Sequence, residues 1–196
     1  MSRVISHYRI LEKLGGDGIG WTAGTQTQWW MNMTIDDERP FTDDMKRIVA
    51  EQKLAFVATV CPDGTPNLSP KGTIAVWDDT HLVFADIRSP GTVANLKVNP
   101  TIEINVVDPF ARKGYRFKGT AELVTDGDLF QRMLDFYRTR RVDTARTRPQ
   151  PTIRAFVLVT VTAALPVISP AYDDGTDESV IRASWVAYFR KLNEPE

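Results

Sequence analysis

Short runs rich in β-branched and aromatic residues recur along this chain, each closed by turn residues before it reaches helical length. Ala55-Phe56-Val57-Ala58-Thr59-Val60 runs into Cys61-Pro62-Asp63-Gly64-Thr65, whose Asp-Gly pair supplies hairpin chemistry. The stretch 66–77 returns as a predicted strand. Asp78-Asp79-Thr80 then turns the chain into His81-Leu82-Val83-Phe84-Ala85-Asp86. Further runs at 101–107, 115–124 and 156–167 bring the count to about six strands at short spacing. Repeating βαβ alternation is missing, which excludes a doubly wound parallel sheet. The expected fold is mainly β with flanking helices, an α+β arrangement built on a small barrel.

Helices fit between these strands. Thr42 is placed to cap a helix that opens with Asp43 and Asp44 and repeats Met45, Ile48 and Val49 at helical spacing. Ser89 is read as the N-cap of a short helix with Pro90 at its first position, where a missing N–H is harmless. Asn99-Pro100 ends it. A third helix runs to about Arg138 with Leu129, Phe130, Met133, Leu134 and Tyr137 on one face, and a fourth spans Glu178 to about Leu192 with Ile181, Trp185, Tyr188 and Phe189 as its stripe.

Composition removes several function classes. The formal net charge is −1, so no global field draws the chain to nucleic acid or an anionic membrane. One cysteine, Cys61, and two histidines, His7 and His81, leave no multi-cysteine or His-rich metal site, and no metal is expected. Cys61 reads as a packing residue at a strand end and His81 as structural. No apolar run reaches about 18 residues, and the N-terminus has no secretory pattern, so a cytoplasmic setting is expected. Arg138, Arg140, Arg141, Arg146 and Arg148 form a basic link, read as a solvated loop.

Chemistry concentrates in two segments. Asn67-Leu68-Ser69-Pro70-Lys71-Gly72-Thr73 and Arg88-Ser89-Pro90-Gly91-Thr92-Val93-Ala94-Asn95 fall on neighbouring strands and a helix start. They offer cations at Lys71 and Arg88 and hydroxyls at Ser69, Thr73, Ser89 and Thr92. A helix N-terminus adds free amides and a favourable dipole. That combination suits a dianionic phosphate.

The order of these pieces resembles the pyridoxamine 5′-phosphate oxidase-like FMN-binding split barrel. The likeness runs over about residues 36–190: A-F-V-A-T-V, D-G-x-P-N, S-P-K-G-T, F-A-D, T-V-A-N-L, N-P, then Tyr115-Arg116-Phe117-Lys118-Gly119-Thr120-Ala121. The resemblance implies a split β-barrel homodimer with FMN at the subunit interface. It assigns the phosphate to Ser69, Lys71, Thr73, Arg88, Ser89, Thr92 and Asn95. It lines the flavin ring with backbone around Pro70, Gly72, Ala85 and Asp86, and makes Tyr172 and Trp185 candidates for ring or interface contacts. It also implies a flavin-dependent oxidoreductase acting on a small molecule. A flavin carrier, storage or electron-transfer protein is the alternative, and F420 is the alternative cofactor. The Arg- and His-containing terminal motif with which true pyridoxamine phosphate oxidases grip their substrate is missing from Lys191-Leu192-Asn193-Glu194-Pro195-Glu196. No side chain is assigned as catalytic, because the flavin carries the redox chemistry.

Residues 1–33 are set apart as an N-terminal extension before a domain at 34–196. His7–Gly20 resembles the opening strand and Gly-rich loop of a bacterial Ser/Thr protein kinase. Asp17, however, occupies the middle glycine position, and no V-A-I-K lysine, H-R-D loop or D-F-G site follows. The loop is read as vestigial.

Overall fold

The structure, a computed structural model, describes residues 33–140 and 152–194 together with a short antiparallel pair, β1 (Val4–Ile5) and β2 (Tyr8–Arg9). The Gly15–Gly20 loop and Arg141, Arg146 and Arg148 lie outside the described residues. The other elements are β3 (Met33–Thr34), α1 (Asp43–Glu51), β4 (Ala55–Val60), β5 (Pro66–Lys71), β6 (Ala75–Val76), β7 (His81–Asp86), α2 (Pro90–Val98), β8 (Thr101–Asp108), β9 (Lys113–Val124), α3 (Gly127–Arg140), β10 (Ala155–Ile168) and α4 (Glu178–Leu192).

Eight strands form one antiparallel sheet in the order β5-β4-β8-β9-β10-β7-β6, with β3 pairing β10 beside that path. Strands β5 and β6 stand at opposite ends of the order, yet only residues 72–74 separate them. A linker that short spans at most roughly 14 Å, whereas the edges of a flat seven-strand sheet stand about 29 Å apart. The sheet therefore rolls until its ends meet, and the result is a split barrel. This corrects the reading of 66–77 as one strand. The run breaks after Lys71, β5 pairs with β4, and β6 pairs with β7.

Side chains of β7 are buried on both faces. Leu82 and Phe84 join the barrel interior with Val57, Ile104, Val106 and Phe117, and Val83 and Ala85 join Phe156 and Met133 of α3 in a second cluster. Each fully buried large side chain contributes roughly 1.5–3 kcal/mol. Helix α1 adds Met45, Ile48 and Val49 to the interior cluster, with Phe41 edge-on to Phe117 at 5.7 Å. Thr42 Oγ1 accepts the Met45 N–H at 3.3 Å, as the sequence predicts, and Asp177 caps α4 by accepting the Ser179 N–H at 2.8 Å.

Gly119 is fixed by close approach of β10. A Cβ at this position would overlap the Thr160 carbonyl oxygen, and the β9–β10 register shifts between Val161 and Ala163 directly beside it. The glycine thus lets a long strand bend into the barrel wall.

Candidate functional site

Alternation along β4 and β5 builds one wall of the site. Asn67, Ser69 and Lys71 lie opposite Thr59, Val57 and Ala55, so all three share the face that carries the buried residues of β4. Lys71 is 5% exposed. Its ammonium donates to Ser69 Oγ and to Thr92 Oγ1, the latter at 3.5 Å, and lies 5.9 Å from the centre of the Phe84 ring. Among the described residues it forms no ion pair. Burial pushes the Lys71 pKa down, and the Asp86 carboxylate opposes that shift without bridging to the amine.

The opposite wall comes from α2. Thr92 and Asn95 are buried on its inner side. Asn95 Nδ2 donates to Thr59 Oγ1 at 3.0 Å and approaches Cys61 Sγ at 3.6 Å, and Asn67 Nδ2 donates to the same Thr59 oxygen at 3.1 Å. Thr59 is therefore the hub that ties β4, β5 and α2 together. It is absent from the candidates drawn from the sequence, although its place with Ala55 and Val57 in an alternating run marks it as inward.

The start of α2 differs from the sequence expectation. Ser89 occupies the N-cap position with φ −135° and ψ 55°, but its hydroxyl caps no amide. Asp86 Oδ1 instead accepts the Ser89 N–H at 3.0 Å. The helix ladder begins with the Val93 N–H on Ser89 O at 3.1 Å, leaving the Gly91 and Thr92 amides in the first turn, and a Cβ at Gly91 would meet nothing within 4 Å.

Thr73 closes the barrel seam. Its hydroxyl donates to Ala85 O at 3.3 Å and accepts the Ala85 N–H at 3.1 Å, extending the pairing of β6 with β7 by a side chain. Tyr137 of α3 braces the same seam with its phenol, 2.5 Å from Thr73 O and 3.1 Å from Val83 O. The sequence reads Tyr137 only as a packing residue.

Ser69, Lys71, Thr73, Ala85, Asp86, Ser89, Thr92 and Asn95 thus gather around one junction of β5, β7 and α2. Pro70 and Gly72 flank Lys71 and are exposed, and Gly72 has ordinary room for a Cβ, 3.5 Å from Lys53 O. Arg88 is exposed and makes no side-chain bond among the described residues. Tyr172 and Trp185 belong to a second group at the β8–β9 turn. Tyr172 donates to Ala111 O at 2.6 Å beneath the Lys113 ammonium, 4.1 Å from its ring, and the Arg112 guanidinium covers Trp185 at 4.3 Å. No helix among the described residues is long and apolar enough to cross a membrane.

The arrangement is a buried cation ringed by hydroxyls beside an open helix N-terminus. It suits an anion with several acceptor oxygens.

Known proteins resemble this chain in sequence and in fold. A family model described as pyridoxamine 5′-phosphate oxidase matches residues 41–167. The crystal structure of HupZ from Group A Streptococcus is 31% identical, covering 63% of this chain and 91% of that one, with a TM-score of 0.54. An FMN-binding protein from Syntrophomonas wolfei is 16% identical, covering 64% of this chain and 86% of that one, with a TM-score of 0.53, a likeness of fold. An uncharacterised protein of Methanocaldococcus jannaschii is 29% identical over 89 residues, which are 44% of this chain and 58% of that relative.

Proposed function

Since the chain belongs to the pyridoxamine 5′-phosphate oxidase family, we propose that it is an FMN-binding, flavin-dependent oxidoreductase of small molecules, with the phosphate seated on Lys71. One observation carries this reading: Lys71 is 5% exposed, and its ammonium meets the Ser69 and Thr92 hydroxyls and forms no ion pair among the described residues. An unpaired charge in such a place is costly until an anion arrives. Ser69, Thr92 and Ser89 would add hydroxyl donors, and the Gly91 and Thr92 amides would add backbone donors. Pro70, Gly72, Ala85 and Asp86 would follow the ring with backbone, and Arg88 would reach the phosphate from solvent.

When bound, the flavin supplies hydride chemistry, and the protein supplies position and exclusion of water. A homodimer is part of the proposal. Phe56 at 43% and Leu68 at 65% exposure stand on the outer face of β4 and β5, an apolar surface that a second copy would cover. Tyr172 and Trp185 would then stand near the partner's flavin.

The purified protein tests the reading. Absorption bands near roughly 370 and 450 nm, together with FMN uptake, are expected for a flavoprotein. A colourless protein that takes up no FMN overturns it, and uptake of F420 alone replaces the cofactor. Reduction by NAD(P)H with turnover of a substrate panel separates an enzyme from a carrier.

A further inference from the structure

We propose that Asp86 is a positioning residue for the phosphate cradle, one that holds the α2 N-terminus open for the ligand. The inference rests on the FMN reading above. Asp86 ends β7 and is 6% exposed. Its backbone is fixed from two sides, by pairing with Ala155 and by the Arg154 N–H, which donates to Asp86 O at 3.0 Å. Only residues 87–89 separate it from α2.

The carboxylate acts on that link. By accepting the Ser89 N–H at 3.0 Å it sets Ser89 in a conformation from which the hydroxyl caps no helix amide. A serine at an N-cap ordinarily turns its oxygen onto the amides of the first turn. Here those amides and the Ser89 hydroxyl stay available, on the side where the Lys71 ammonium meets Thr92 Oγ1 at 3.5 Å. The same carboxylate favours the charged form of Lys71 without bonding to it, so the ammonium remains free for an incoming anion. Asp86 therefore anchors the entry to α2 through the Ser89 N–H, a donor outside the first-turn amides that the ligand would use.

FMN and riboflavin differ only in the phosphate, so their affinity ratio reads the cradle. The wild type is expected to favour FMN by about 100-fold, the worth of one or two charge-assisted bonds. Asp86→Ala is expected to lower FMN affinity about tenfold or more and leave riboflavin within about twofold. Asp86→Asn keeps an acceptor oxygen and is expected to stay within about threefold of the wild-type ratio. Ser89→Ala, which removes a hydroxyl that bonds nothing among the described residues, is expected to weaken FMN about tenfold with no change in Tm.

Equal affinities for FMN and riboflavin in the wild type would sink the phosphate reading itself. A discriminating wild type with an unchanged ratio in Asp86→Ala would sink the positioning role alone. If Asp86→Ala fails to fold, the other variants decide. The role is overturned by loss of discrimination in Asp86→Asn or by full discrimination in Ser89→Ala.

Discussion

Lys71 Nζ lies 3.5 Å from Thr92 Oγ1, a contact that joins an edge strand to the first turn of a helix 21 positions further on. The two residues come together because the chain leaves β5, closes the barrel seam through β6 and β7, and enters α2 beside the point where β5 ended. The contact holds an ammonium away from water without a bridging carboxylate. Replacing Lys71 by Met removes that buried charge and keeps its volume. Thermal melting of Lys71→Met without ligand is expected to match or exceed the wild type, since apolar replacement of buried charge is often neutral or stabilising by about 1–4 kcal/mol.

Alkaline pH should separate folding from binding. Burial holds the Lys71 pKa below its ordinary 10.5. The folded state disfavours the charged form, so this group's contribution to stability rises as pH climbs through the lowered pKa toward 10.5 and is constant above it. Flavin binding moves the other way, because the phosphate needs the ammonium. FMN affinity is expected to fall as pH rises through the Lys71 pKa, with a midpoint below 10.5, and this fall should vanish in Lys71→Met. Titrations at stepped pH, with riboflavin as the control, check both signs.

Gly119→Ala tests the barrel wall. The added methyl has no space against the Thr160 backbone, so β9 and β10 must separate at the bulge. The expected loss is about 3 kcal/mol or more, measured by urea denaturation. A loss within about 0.5 kcal/mol, as at an unconstrained surface position, would mean that the strands yield there.

The outer face of β4 and β5 tests the dimer. Phe56→Asp with Leu68→Asp places two carboxylates on a surface that carries the exposed rings and branches of both strands. Sedimentation is expected to show a dimer in the wild type and a monomer in the double variant. FMN affinity is expected to fall with it, since the proposed flavin site is completed at the interface.

Arg182 fixes α4 to the β8–β9 turn through the buried Asp108, with Nη2 2.8 Å from Oδ2. Burial pushes the Asp108 pKa up, but the Ala111 and Phe110 amides and the Arg182 guanidinium outweigh it and hold the carboxyl below its ordinary 3.8. This group's stabilisation is therefore complete above 3.8 and is lost as pH falls through the lowered value. Arg182→Ala is expected to destabilise by about 1–3 kcal/mol, because Asp108 keeps its amide partners, and to weaken the acid sensitivity of the helix signal in circular dichroism.

Much of this architecture was legible in local pattern. Runs of β-forming residues closed by turns marked β4, β7 and β10, and Thr42 followed by Asp43 and Asp44 marked the start of α1. The break after Lys71 was not legible. Strand propensity continues through Ala75 and Val76, and only the choice of partner, β4 on one side and β7 on the other, divides the run. The cation–hydroxyl grouping was readable by residue type. Its hub, Thr59, was hidden because its partners Asn67 and Asn95 lie 8 and 36 positions away. Ser89 misled for a related reason: residue type marks it as a cap, but its hydroxyl accepts from no first-turn amide, and its own N–H is held by Asp86.

The account stands most directly on FMN titration of the wild type, Lys71→Met and Arg88→Ala, followed by flavin fluorescence at neutral pH. Lys71→Met is expected to weaken FMN binding about tenfold or more, as loss of a charge-assisted bond of roughly 1.5–3 kcal/mol requires. Arg88→Ala, which removes an exposed charge, is expected to weaken it less. Wild-type affinity for FMN in Lys71→Met would contradict the account and move the phosphate away from this cradle.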